Sequence, residues 1–196
     1  TYKAIKNKYF KDEMIKSDYK DQVRSDTTLL KLSQLNAVFK KSGTVTAGNA
    51  SSLNDGAAFM MLASADFVKA NKIKPLAKVL DWSASAGNPD LMGITPITAI
   101  QKLMKKMSVN INFFDLIEIN EAFAATSIAV QRVLEIDPNK LNIAGGAIAL
   151  GHPIGCSGTR ILITLAHQLK RTKLKYGIAS MCIGGGQGLA MAIEKL

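Results

Sequence analysis

The sequence predicts an α/β layer structure: a mixed β-sheet flanked by helices. Three observations lead there. Strand-like apolar runs alternate with helical periodicities along most of the chain, which is the pattern of strand–helix units packed in layers. The last two strand-like runs, 176–183 and 188–194, enclose the turn Gly184-Gly185-Gly186 and add antiparallel pairing to the sheet. Residues 157–170 read as a helix in which Ile161, Leu162, Ile163, Leu165, Ala166 and Leu169 cover nearly the whole circumference. A helix that is apolar all round wants protein on both sides, and a half-size α/β layer covers only one.

Residues 1–26 form a polar lead-in bearing lysine and aspartate, with little periodicity. Residues 27–39 place Leu29, Leu30, Leu32, Leu35, Val38 and Phe39 on a helical face, with Asp26 or Thr27 as the capping residue. After Gly43, the string TVTAGNASSLNDGAA is rich in small and turn residues and reads as a loop that lets a ligand approach the backbone. Strands are expected at 57–63, 76–85, 115–119 and 141–144, and helices at 96–107 and 122–134. The chain shows no internal repeat and no low-complexity tract.

With 196 residues, the chain can bury one large domain, or a domain with an appendage. Hydrophobic residues make up 47% and charged residues 20%, a globular composition. No apolar run is long enough to span a bilayer, and the lysine-rich start is no secretory signal. The ending Glu194-Lys195-Leu196 is close to a peroxisomal signal but lacks its small first residue. The expectation is a soluble, intracellular protein, cytoplasmic before mitochondrial or peroxisomal. Two cysteines make no disulfide framework, and two histidines beside them are a thin supply for structural zinc. The net charge of +10 is spread along the chain without an Arg-rich block, so neither nucleic acid nor a membrane is the expected partner. A local basic patch for a phosphate-bearing ligand remains open.

Three motifs carry candidate chemistry. Asn120-Glu121-Ala122-Phe123 follows the strand-like LIEI at the start of a helix, where Asn120 is either an N-cap or a functional amide. GGAIALGHPIGCSG (residues 145–158) spaces Gly146 and Gly151 like a phosphate loop, but His152-Pro153 stand where that loop needs Lys and Ser or Thr. What remains is a histidine fixed by proline among glycines, either structural or approached closely by a ligand. CIGGGQG (residues 182–188) ends a strand on Cys182, which is either a buried apolar residue or a chemical thiol. Its glycines suit a tight hairpin and do not match a dinucleotide fingerprint. Together the motifs supply Asn, His and Cys for acid/base work on an acyl group, with backbone N–H groups available to an oxyanion.

These strings, NEAFA, GGAIALGHPIGCSG and CIGGGQG in that order, resemble the C-terminal signatures of the thiolases, and GTVTAGNASSLNDGAA resembles the segment that lines their CoA site. The resemblance implies a thiolase-like C-terminal catalytic domain at 41–196, preceded at 1–40 by a lead-in and the remnant of a CoA-covering loop domain. It implies acyltransferase chemistry: Claisen condensation of acetyl-CoA to acetoacetyl-CoA, and the reverse thiolysis. Cys182 would be the acid/base, His152 the activator of a nucleophilic thiol and part of an oxyanion hole, and Asn120 the holder of that hole's water. The N–H of Gly184 would serve a second oxyanion hole. Ser51, Met92, Ala122 and Phe123 match positions along the pantetheine arm, and Arg24 matches one near the nucleotide end of CoA. CoA or acyl-CoA is expected as substrate, with no permanently bound cofactor and no metal. The family nucleophile is a cysteine of the N-terminal half, and this chain has only Cys156 and Cys182. The expected partners are therefore acyl-CoA thioesters, the thiolase N-terminal half and, in the complete enzyme, further copies as dimer or tetramer. Ser52 replaces a glycine usual in the CoA-lining segment. The alternative class is a non-catalytic, CoA-binding or structural fragment that self-associates. The related ketoacyl synthases pair their nucleophile with two His or with His and Asn, and the Cys182 hairpin argues against them.

Overall fold

The computed structural model describes residues 24 and 26–196. Most of the polar lead-in therefore lies outside the described residues. The frame is a four-stranded sheet in the order β1-β4-β3-β2, with β1 Ala77–Ala86, β2 Leu116–Ile119, β3 Tyr176–Ile183 and β4 Gln187–Lys195. β4 pairs antiparallel with both β1 and β3, while β2 runs parallel to β3 in the register Ile119↔Ser180. The mixed sheet expected from the closing glycine hairpin is thus present. Gly185 and Gly186 adopt φ values of 83° and 84°, the left-handed region that the three-residue turn requires. A Cβ at Gly186 would stand 2.5 Å from the Gly87 carbonyl oxygen, so that position also needs glycine for space.

Beside the four strands, the described residues form six α-helices: α1 Leu29–Ser33, α2 Ala65–Ala70, α3 Thr95–Met107, α4 Ala124–Val133, α5 Ala147–Leu150 and α6 Ser157–Thr172. α3 presents Ala99, Ile100 and Leu103 to one face of the sheet, where they meet Ile117, Ile119, Ile178, Ala190 and Ala192, with Val130 of α4 completing the core. α6 lies across the other face, and its Ile161, Leu165, Ala166 and Leu169 pack on Leu116, Ala179 and Ile193. The two cores lie on opposite faces because side chains alternate along each strand.

α6 is less uniform than its sequence suggests. His167, Lys170 and Arg171 form an exposed edge on its later turns, whereas Leu162 and Ile163 are only half-buried. Beside Leu162, over the part of the sheet that α6 does not reach, a cavity of about 610 Å³ is lined by Phe59, Leu62, Trp82, Met181 and Leu189 among others. Trp82 is 56% exposed and Phe59 83%, so this apolar surface faces solvent.

Three expected elements differ. The helix expected over 27–39 shrinks to α1, capped by Thr28, whose hydroxyl accepts from the Lys31 amide, rather than by Asp26 or Thr27. None of its residues is buried, so no packing holds a longer helix, and the chain turns to join the Val38 amide to the Val45 carbonyl. Residues 57–63 carry no strand, since a strand needs a neighbour for its backbone groups and none pairs here among the described residues. The strand at 141–144 reduces to one bridge, Ile117↔Leu141, ended by Asn142 at φ 48°. The short helices α2 and α5 were not anticipated from the sequence.

Leu165 is fully buried between α6 and the sheet. Leu165→Ala should lower unfolding free energy by about 2–5 kcal/mol, read from urea unfolding, with the sheet's circular dichroism retained below the transition.

Candidate active site

The candidate site forms where β2 and β3 end, since parallel strands expose their carboxyl ends together and loops from both then converge. Asn120 follows β2 directly. Its amide donates to the Ser180 carbonyl at 3.0 Å, which extends the parallel ladder by one residue and leaves the side chain fully buried. The capping alternative for Asn120 fails, because the N-cap of α4 is Phe123. Its side chain turns elsewhere: Nδ2 lies 3.4 Å from Nε2 of His152, and Oδ1 accepts from Nη2 of Arg160 at 3.2 Å.

His152 stands between α5 and α6. Its amide donates to the Ser52 carbonyl at 2.9 Å, and its Nδ1 is 2.6 Å from the hydroxyl of Ser157 in the first turn of α6. Gly151, at φ 97°, brings the loop here, and a Cβ on it would lie 2.3 Å from Oδ1 of Asn54. That close approach is the reason for glycine before the histidine. Burial and the neighbouring Arg160 charge both push the His152 pKa down, so its imidazole is neutral at physiological pH.

The loop around Ser51 is stitched to both motifs. The amide and hydroxyl of Ser51 each donate to the Ala122 carbonyl at 3.0 Å, the Ala124 amide donates to Asn49, and Ala50 bridges to Phe123. Phe123 also meets Phe39 edge-on with ring centroids 6.2 Å apart. Glu121 ties the segment after β2 to the one that leads into α5 by accepting from Asn142 Nδ2 at 3.0 Å and from the Ile148 amide at 3.2 Å. Cys182 is the next-to-last residue of β3, two residues beyond Ser180 in the strand beside Asn120. Burial raises its thiol pKa, offset in part by a hydrogen bond with Thr126 of α4, so the thiol is protonated at neutral pH.

Comparison with known proteins then settles the family. Residues 73–195 match the model of the thiolase C-terminal domain, and residues 1–66 match the model of the thiolase N-terminal domain. The chain belongs to the thiolase family. Over 197 residues it is 46% identical to a mitochondrial 3-ketoacyl-CoA thiolase of Mus musculus, with 95% of this chain and 50% of that protein covered. A probable acetyl-CoA acyltransferase of Staphylococcus epidermidis is 52% identical over 173 residues, covering 88% of this chain and 44% of its own length. Among solved structures, the Bacillus anthracis acetyl-CoA acetyltransferase superposes with a TM-score of 0.88 at 45% identity, covering 100% of this chain and 52% of its own. Human mitochondrial 3-ketoacyl-CoA thiolase in complex with CoA gives 0.83 at 44% identity, covering 89% and 44%. The chain thus spans about half the length of the curated relatives it matches.

Among the thiolase positions singled out in the sequence, the structure joins Asn120 to His152, sets Cys182 at the neighbouring strand end, and stacks Ser51, Ala122 and Phe123 in one stitched layer. Met92 lies in a 3-10 helix, Pro89–Ile94, and its carbonyl accepts from Thr95. Gly184 is exposed in the hairpin turn, with open space where a side chain would stand. Arg24 is exposed, and its carbonyl accepts from Thr27 rather than from any site loop.

The sequence assigns no role to four further residues of the site: Ser157 and Glu121, which lie inside the motifs, and Arg160 and Glu118, which lie outside them. Only Glu118 could have been noticed, as a carboxylate inside the apolar string LIEI. It is 2% exposed, and burial raises its pKa to about 7 although the Arg160 charge pulls it down. The sign follows directly. Below about pH 4.5, the ordinary value, both folded and unfolded states carry the proton, and burial meets no charge. As pH rises toward 7 the unfolded chain ionises first, and the fold loses about 3 kcal/mol of stability relative to its acid limit. Urea unfolding of wild type and Glu118→Gln at about pH 5 and about pH 8 should show that decline in the wild type and a flatter response in the variant.

Proposed function

We propose that the chain supplies the acid/base half of a thiolase, exchanging acyl groups between CoA thioesters by condensation of acetyl-CoA and thiolysis of 3-ketoacyl-CoA. The observation that carries this reading is the Asn120 amide set 3.4 Å from the neutral imidazole of His152, at the strand end beside the protonated thiol of Cys182. A neutral imidazole can take the proton of a nucleophilic thiol, and it can share a water with the amide to meet a thioester oxygen as charge develops there. Cys182, protonated at neutral pH, returns a proton to the α-carbon of the departing acetyl-CoA enolate in thiolysis. In condensation its thiolate removes that proton. The amide of Gly184, in an open hairpin turn, serves the oxyanion of the acyl intermediate.

The pantetheine arm would run along Ser51, Ala122, Phe123 and Met92, with Arg24 toward the phosphates. The CoA complex of the human relative, to which this chain is 44% identical, supports that ligand class. The acyl-accepting thiol belongs to the N-terminal half, and without it acyl transfer has no covalent intermediate to pass through. Acetoacetyl-CoA is the substrate in this reading. The 3-ketoacyl-CoA and acetyl-CoA relatives both support the class of thioester.

The exposed groove around Trp82, Phe59 and Leu62 favours a second reading, a non-catalytic fragment that binds CoA or self-associates through this apolar surface.

Thiolysis of acetoacetyl-CoA by the purified chain, alone and mixed with a thiolase N-terminal half, separates the two. Activity confined to the mixture supports the half-enzyme, and silence in both favours the fragment. Activity of the chain alone would make Cys156 the first suspect for the nucleophile. In the active mixture, Cys182→Ser should reduce turnover about 10²-fold or more with little change in CoA affinity, and equal rates would reject its acid/base role.

A further inference from the structure

Asn120 and His152 are held by two residues of α6, one near the end of the histidine motif and one just beyond it, and each end of the arrangement admits only one hydrogen-bond direction. At one end is Arg160, whose guanidinium can only donate. Its Nη2 faces Oδ1 of Asn120 at 3.2 Å, so the amide must turn its Nδ2 toward His152. Nδ2 in turn donates to Nε2 of His152 at 3.4 Å, which requires a lone pair on Nε2. A neutral imidazole with that lone pair carries its proton on Nδ1, which then donates to the Ser157 hydroxyl at 2.6 Å. Ser157 hands its own proton to the Pro153 carbonyl at 3.0 Å, a group that can only accept. From Arg160 to Pro153 every proton has one place.

We propose that Ser157 and Arg160 are positioning residues that fix the His152 tautomer, holding the proton on Nδ1 and presenting a basic Nε2 to the site. Spacing on α6 makes this possible, since residues three apart on a helix share a face. Ser157 is fully buried, and the Nε and Nη1 of Arg160 are buried without a partner among the described residues. Arg160 is half-buried and gives one of its N–H groups to the Asn120 amide. The inference rests on the thiolase reading for its purpose, but its content is a proton position that can be measured without any turnover.

The test is nitrogen-15 spectroscopy of the histidines in the 196-residue chain at about pH 8, where an unperturbed imidazole is neutral. The chain has two histidines, and His167→Gln, at an exposed position, assigns the spectrum to His152. The expected wild-type result is a protonated Nδ1 and an unprotonated Nε2. Ser157→Ala and Arg160→Met should each draw the two shifts toward each other as the second tautomer becomes populated, while Arg160→Lys, which keeps a cationic donor, should restore much of the separation. A wild-type His152 protonated on Nε2 overturns the proposal whatever the variants do. So does an unchanged Nδ1–H signature in both Ser157→Ala and Arg160→Met. If the tautomer behaves as stated and the mixture with an N-terminal half shows no thiolysis, the positioning stands and the proposed function falls.

Discussion

The hydrogen bond from the His152 amide to the Ser52 carbonyl, 2.9 Å long, is the tie on which the rest of the site depends. It joins the loop that carries the imidazole to a segment a hundred residues earlier, and that segment is itself bonded through Ser51 to the Ala122 carbonyl. Three loops thus share one backbone network, each bond contributing about 1 kcal/mol net. The larger effect is geometric. Loops are ordinarily the mobile part of a fold, yet these cannot move singly without breaking the backbone bonds that join them. The parallel pairing of β2 with β3 supplies the floor under this network, because it fixes where Asn120 and Cys182 leave the sheet.

Electrostatically the site inverts the character of the chain. The chain has a net charge of +10, whereas in the site a single half-buried guanidinium, Arg160, stands among Glu118, Glu121 and the imidazole. Glu118 and Arg160 attract each other's charged forms, but burial opposes both, so the carboxyl rises toward neutrality and the arginine is weakened as a cation. His152 feels the same cation and loses affinity for a second proton. Burial is the first cause of both a base kept neutral and a carboxyl half-ionised near pH 7, and the Arg160 charge reinforces the first and opposes the second.

Much of this frame was legible in the sequence. The alternation of strands and helices, the glycine hairpin and the motifs at the strand ends all reflect local chemistry, so β1, α3, β2, α4, α6, β3 and β4 fall close to where periodicity places them. Misreadings occurred where structure depends on a neighbour. Residues 27–39 have a helical face but nothing to pack it on, and 57–63 have strand composition but no ladder partner among the described residues. The site divides the same way. His152 and Cys182 stand beside glycine runs and Asn120 directly follows an apolar strand, so all three announce themselves. Ser157 and Arg160 occupy ordinary helix positions, and only the fold shows that their face of α6 meets Asn120 and His152.

The chain has a single tryptophan, and it stands at the lip of the apolar groove, 56% exposed. An indole in that position is bathed in water and emits at long wavelength. Any surface that closes over the groove, whether a second copy or a complementary half, would strip that water away and shift the emission to the blue. The protein therefore carries its own fluorescent gauge of assembly, read from one tryptophan per chain and with no label.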